Sequence, residues 1–155
     1  MRSAKVAVVI PLTSRELSDL RVVRLSLDPL AASLAALNHP ELEAAAFMAR
    51  AELTPSADPD KWHVAHYDLH NSIWQMSGNV VLADSLRSLW SRLDRYRLLA
   101  MSDREFDHAT GIEHVQIARA ICARNPALAA SLAAAHLSAQ GEVDVPNMVP
   151  SEGRE

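Results

Sequence analysis

The chain has a single cysteine, Cys122. No disulfide can form within it, which fits a reducing compartment and removes the disulfide-stapled folds from consideration. Cys122 ends the apolar triplet Ala120-Ile121-Cys122, the setting of a core thiol more than of a nucleophile. Long apolar runs are also missing. The run from Val6 to Ile10 is too short to cross a bilayer and lacks the length and cleavage context of a signal peptide, so a cytoplasmic location and no membrane contact are expected. Positive charge is not in excess: 15 Lys and Arg against 19 Asp and Glu leave a net charge of -4. Acids lie among Arg92, Arg95 and Arg97, so no nucleic-acid-binding face stands out. No H-E-x-x-H motif occurs, no internal repeat is visible, and no stretch alternates as a half-buried strand does.

What remains is a vocabulary of helices. With 155 residues, 49% hydrophobic and 22% charged, the chain is long and apolar enough for one soluble domain with a real core. Thr13 and Glu16 form a capping box, with Leu12 and Leu17 placed as its hydrophobic staple. They open a helix over about 14–37 whose expected apolar stripe is Leu17, Leu20, Val23, Leu27, Leu30, Leu34 and Leu37. Pro29 inside it should kink or break the helix. Pro40, Pro59 and Pro126 suit first helical positions, where a missing N–H costs nothing. They start helices at about 40–52, 59–76 and 126–139, with a loop at 53–58.

Asn79 caps a helix over about 80–101 that packs through Leu82, Leu86, Leu89, Trp90, Leu93 and Tyr96. Residues 102–109 read as polar loop, and a second capping box, Thr110 and Glu113, opens a helix over about 111–124. Residues 1–12 read as an N-terminal arm, 13–140 as the helical domain and 141–155 as a loose tail. The expected fold is all-α: an antiparallel bundle of about six helices.

Histidine is the residue with a pattern. His66 and His70 stand four apart, so on a helix both imidazoles face one point, with His63 a turn earlier at the edge of that face. His114 opens the fifth helix and His136 lies late in the sixth. In an antiparallel hairpin those two sit at the same level. Four imidazoles from three helices suit zinc, nickel, iron or copper, and leave a position open for water or a carboxylate. Asp68 should point away from His66 and His70, while His39 and His108 belong to a helix start and a polar loop. Two other readings stand beside this one. A buried histidine is commonly just a hydrogen-bonded core residue, which would make a metal-free structural bundle. A small metalloenzyme of hydrolase or isomerase type would need a general base near the metal-bound water, and Glu113 is expected on another face.

Several segments together carry a family likeness: VVRLSLDPLAASLAA with Arg24 and Asp28, the His66/His70 pair, SGNVVL with Asn79, and EHVQIARAICARNPALAASLAAAHL. The histidines are spaced 44 residues from His70 to His114 and 22 more to His136. Over about residues 12–140 the chain resembles the FCD domain, the effector-binding FadR C-terminal domain of GntR-family transcriptional regulators. The resemblance implies a divalent transition metal, zinc or nickel, on His66, His70, His114 and His136. The family's aspartate position falls on His66 here, so His66 either ligates in its place or lines the pocket. It further implies a small organic or sugar acid as effector, a homodimer, and no enzymatic activity. Arg24 is the expected effector contact, its alternative being a salt bridge to Asp28. The winged helix-turn-helix of such regulators has no counterpart in this sequence, as in a truncated regulator or a free-standing sensor. Without it, DNA binding by this chain alone is not expected.

Overall fold

A computed structural model describes residues 13–38, 44–54, 59–100 and 108–139. All the regular structure among them is helical: α1 Ser14–Asn38, α2 Ala44–Leu53, α3 Pro59–Met76, α4 Val80–Ala100, α5 His108–Cys122 and α6 Pro126–Ala139. This is the expected all-α bundle of six helices. The arm, the tail and the expected start of the second helix at Pro40 lie outside the described residues.

The caps read from the sequence at Thr13 and Asn79 form, and Asn125 adds a third. Thr13 Oγ1 accepts from Glu16 N at 3.1 Å, Asn79 Oδ1 from Leu82 N at 3.0 Å, and Asn125 Oδ1 from Leu128 N at 3.1 Å. The α5 terminus closes differently. Arg124 adopts φ 53°, and bonds from Asn125 N to Ala120 O and from Arg124 N to Ile121 O wrap the last turn in a Schellman motif. From there Arg124 Nη1 reaches Leu37 O at 3.4 Å, so the start of α6 lies by the end of α1 and the two helices run antiparallel.

α1 is the central element, touching α3, α4, α5 and α6. Its longest contact is with α6, and both helices bury alanines, Ala31, Ala32, Ala35 and Ala36 on one and Ala129 and Ala133 on the other. Such small side chains let the two backbones approach closely. Around them Phe47, Leu69, Ile73, Trp74, Leu86, Trp90, Ile117 and Ile121 complete one core.

Three expectations are corrected here. First, of the two outcomes expected at Pro29, a break does not occur, and α1 runs on to Asn38 as the expected helix over about 14–37 does. The carbonyl that loses its donor belongs to Leu25, on the exposed side where water can replace the N–H, and the buried alanines anchor the next turns. Second, the apolar stripe of α1 is rotated. Val23, Leu30 and Leu37 face outward at 43%, 47% and 56% exposure, while Arg24 and Asp28 are buried. Third, α5 begins at His108, so Thr110 lies within the helix and its capping box with Glu113 does not form.

Cys122 is half-buried with Sγ 3.8 Å from Ala44 O, and burial raises its thiol above the ordinary value of 9.0. Less thiolate at neutral pH makes it a packing residue.

Candidate metal centre

The period of α3 places His66 and His70 on the same inward face as the buried Leu69 and Ile73. His114 faces them from α5 and His136 from α6. All four are buried, at 0%, 5%, 1% and 1% exposure. Burying four imidazoles in an apolar core is costly unless their nitrogens are satisfied. Here the inward nitrogens come in pairs: His66 Nε2 lies 3.0 Å from His70 Nε2, and His114 Nε2 lies 3.1 Å from His136 Nε2. One potential ligand atom from each of the four falls within 4.8 Å of the others.

Two imidazole nitrogens this close need a proton or a cation between them, because bare lone pairs repel. The spacing also suits a metal. With metal–nitrogen bonds of roughly 2.0–2.1 Å, ligands at right angles stand about 3.0 Å apart, as in five- or six-coordinate ions. Four nitrogen donors brought together in this way could hold a metal ion.

A carboxylate meets this group from outside. Glu113 Oε2 is 2.8 Å from His136 Nδ1. The residue read from the sequence as a cap on another face is instead a partner of the quartet. The hairpin of α5 and α6 that aligns His114 with His136 also carries Glu113, one residue earlier, to the same level. That was the signal available.

Arg24 is 4% exposed and its Nε donates to Asp28 Oδ2 at 2.6 Å, so the salt-bridge alternative holds in this structure. Asp28 Oδ1 accepts from Trp74 Nε1 at 2.8 Å. The guanidinium is not exhausted by this. Arg24 Nη2 is buried with no hydrogen-bond partner among the described residues. Its Cζ lies 5.2 Å from the Trp90 ring centroid, and that ring stands 5.1 Å from both His66 and His70. Arg24 is therefore one aromatic ring away from the quartet.

Sequence reasoning missed this aromatic wall. The chain's three tryptophans all gather here, Trp62 at 4.4 Å from His66 and Trp74 at 6.0 Å from His70 completing the set with Trp90. His63 stays outside the quartet, its Nε2 3.5 Å from Asp94 Oδ1, and Asp68 is exposed as expected. His39 and the side chain of His108 lie outside the described residues.

A six-helix bundle with buried imidazoles and a buried arginine converging at its centre defines an all-helical binding domain. The family model of the FCD domain matches residues 19–139, most of the chain, and the chain belongs to the FCD domain family. In fold it is similar to E. coli McbR/YncC, with a TM-score of 0.74 at 14% identity, over 85% of this chain and 65% of that one. It thus spans just under two thirds of that protein's length, and at this identity the likeness speaks for the fold. Among curated proteins none matches the chain.

Proposed function

We propose that this domain is the effector-sensing part of a GntR-type transcriptional regulator. It holds a divalent transition metal, zinc or nickel, on His66, His70, His114 and His136, and takes a small organic or sugar acid as effector. The observation that carries this reading is the convergence of four buried imidazoles within 4.8 Å. Such a metal would act as a Lewis acid toward a carboxylate in an open position. Arg24 supports the same reading, because a buried Nη2 with a spare N–H suits an anionic oxygen. Binding is favoured over hydrolysis by Glu113, whose carboxylate is engaged with His136 and is not poised as a base toward a metal-bound water.

The test is elemental analysis of protein purified without chelator, with released small molecules identified by mass spectrometry. One metal per chain is expected. Addition of small di- and tricarboxylic acids should change tryptophan emission, since all three indoles adjoin the quartet. No metal after purification and none taken up on titration would favour the metal-free bundle. Turnover of an ester or sugar-acid substrate dependent on His70 would favour the enzyme.

The reading includes a homodimer, which the outward side of α1 supports. Between Val22 and Leu37 the only charges, Arg24 and Asp28, are buried, while Val22, Val23, Leu30 and Leu37 are exposed. A solvent-facing helix side normally carries the charge. Sedimentation of the wild type should give a dimer and the double variant Leu30→Glu, Leu37→Glu a monomer. A wild-type monomer, or a dimer in the double variant, would exclude this face.

A further inference from the structure

The carboxylate beside the quartet has a task that no residue of the quartet can perform. We propose that Glu113 is a positioning residue of the metal centre: it fixes the tautomer of His136 and supplies a negative charge next to an otherwise neutral donor set. This inference rests on reading the four histidines as metal ligands.

The tautomer follows from the geometry. An ionised carboxylate has only lone pairs to offer, so the 2.8 Å contact favours the hydrogen on His136 Nδ1. A neutral imidazole has one N–H, which leaves the lone pair on Nε2. That atom is the one aimed inward, 3.1 Å from His114 Nε2. Left to itself an imidazole divides its proton between the two nitrogens, and half-turned or wrongly protonated it cannot ligate. Glu113 removes that choice before any ion arrives.

The helix register explains why a residue of α5 does this for a ligand on α6. Glu113 and His114 are neighbours, about 100° apart around the helix axis, so they cannot aim at one point on their own. His136 comes between them instead, offering Nε2 to one and Nδ1 to the other. Burial divides the labour: His136 is 1% exposed, whereas the Glu113 side chain is 35% exposed. The carboxylate keeps part of its hydration, so its charge costs little, while the imidazole works in the dry core.

The charge matters because four imidazoles contribute none. A divalent ion held by them alone would leave two positive charges amid Trp62, Trp74 and Trp90. Glu113 offsets one of them from just outside the donor set, and draws the Nδ1 proton toward itself, which makes Nε2 a better donor.

The experiment compares Glu113→Gln and Glu113→Ala with the wild type by competitive zinc titration against a chromophoric chelator, Glu52→Gln serving as a surface control. Glu113→Gln keeps the size and can still accept from Nδ1, so it isolates the charge. Glu113→Ala removes both. Zinc affinity is expected to fall within the roughly 10–100-fold range typical of such outer partners, more for alanine than for glutamine. Nitrogen-15 spectra of the metal-free protein give a readout independent of the ion. The wild type should show the His136 proton on Nδ1, and Glu113→Ala should redistribute it.

Unchanged affinity in both folded variants, with the wild type binding zinc, would overturn the inference and leave the metal reading intact. A wild-type His136 protonated on Nε2 would overturn it without reference to metal. A wild type that takes no zinc would remove both readings together.

Discussion

His70→Ala is expected to reduce bound metal from one per chain to a trace. His70 is 5% exposed, its Nε2 lies 3.0 Å from that of His66, and among the described residues the clustered ligand candidates are His66, His70, His114 and His136. Outer partners of a metal site are worth roughly 10–100-fold in affinity, and a lost ligand costs more. The stability effect follows by mass action. An ion present at a hundred times its dissociation constant stabilises the fold by about 2.7 kcal/mol. Chelator should therefore lower the melting temperature of the wild type and leave that of His70→Ala unmoved. Acid should act as chelator does. Protons compete with the ion for imidazole nitrogens, so the metal-linked stability is present at neutral pH and is lost as falling pH protonates the ligands. His39→Ala and His108→Ala should keep the metal. A melting temperature indifferent to both chelator and mild acid, or a His70→Ala protein with full metal content, would refute the site.

Arg24→Met is expected to destabilise the fold by about 3–5 kcal/mol, the usual cost of leaving one member of a buried ion pair behind. Both side chains of the pair are 5% exposed. Methionine keeps the aliphatic bulk but leaves the Asp28 carboxylate with only the indole N–H of Trp74. The double variant Arg24→Met, Asp28→Leu should recover much of the loss, because an apolar pair carries no stranded charge. Chemical denaturation of the four proteins measures this as a cycle. If Arg24→Met alone is as stable as the wild type, the pair is not the dry structure described. Effector binding distinguishes the two uses of the arginine. A double variant that folds and holds metal yet no longer responds to organic acids would assign the spare Nη2 to the ligand; an undiminished response would confine Arg24 to structure.

How far these features could be read from sequence depends on how local their causes are. α3 and α6 begin at Pro59 and Pro126 as expected, because a proline at the first helical position acts through its own ring and nothing distant. The grouping of His66 with His70 is equally local, and that of His114 with His136 needs only an antiparallel hairpin. The errors lie where a tertiary partner decides. On α1 the leucine periodicity is real, but alanines and an arginine–aspartate pair face the core because α6 needs close approach and Asp28 has Trp74 to bond. Thr110 and Glu113 carry the letters of a capping box, yet α5 starts two residues before Thr110, and His136 engages the glutamate. The tryptophans gave no local sign of convergence, since their meeting point is made by two helices, α3 and α4, folding together.

α1 carries Arg24 on its inner side and Val22, Leu30 and Leu37 on its outer side, in one continuous helix of 25 residues with Pro29 inside it. Turned as a unit, such a helix would work as a crankshaft. Side chains stand about 5–6 Å from a helix axis, so a turn of about 20° moves both flanks by roughly 2 Å in opposite directions. A guanidinium drawn toward an anion near the histidines would swing the outer valines and leucines by the same angle. On the proposed function, a pull felt at the centre of the domain would be passed, reversed in direction, to the surface a second molecule would touch.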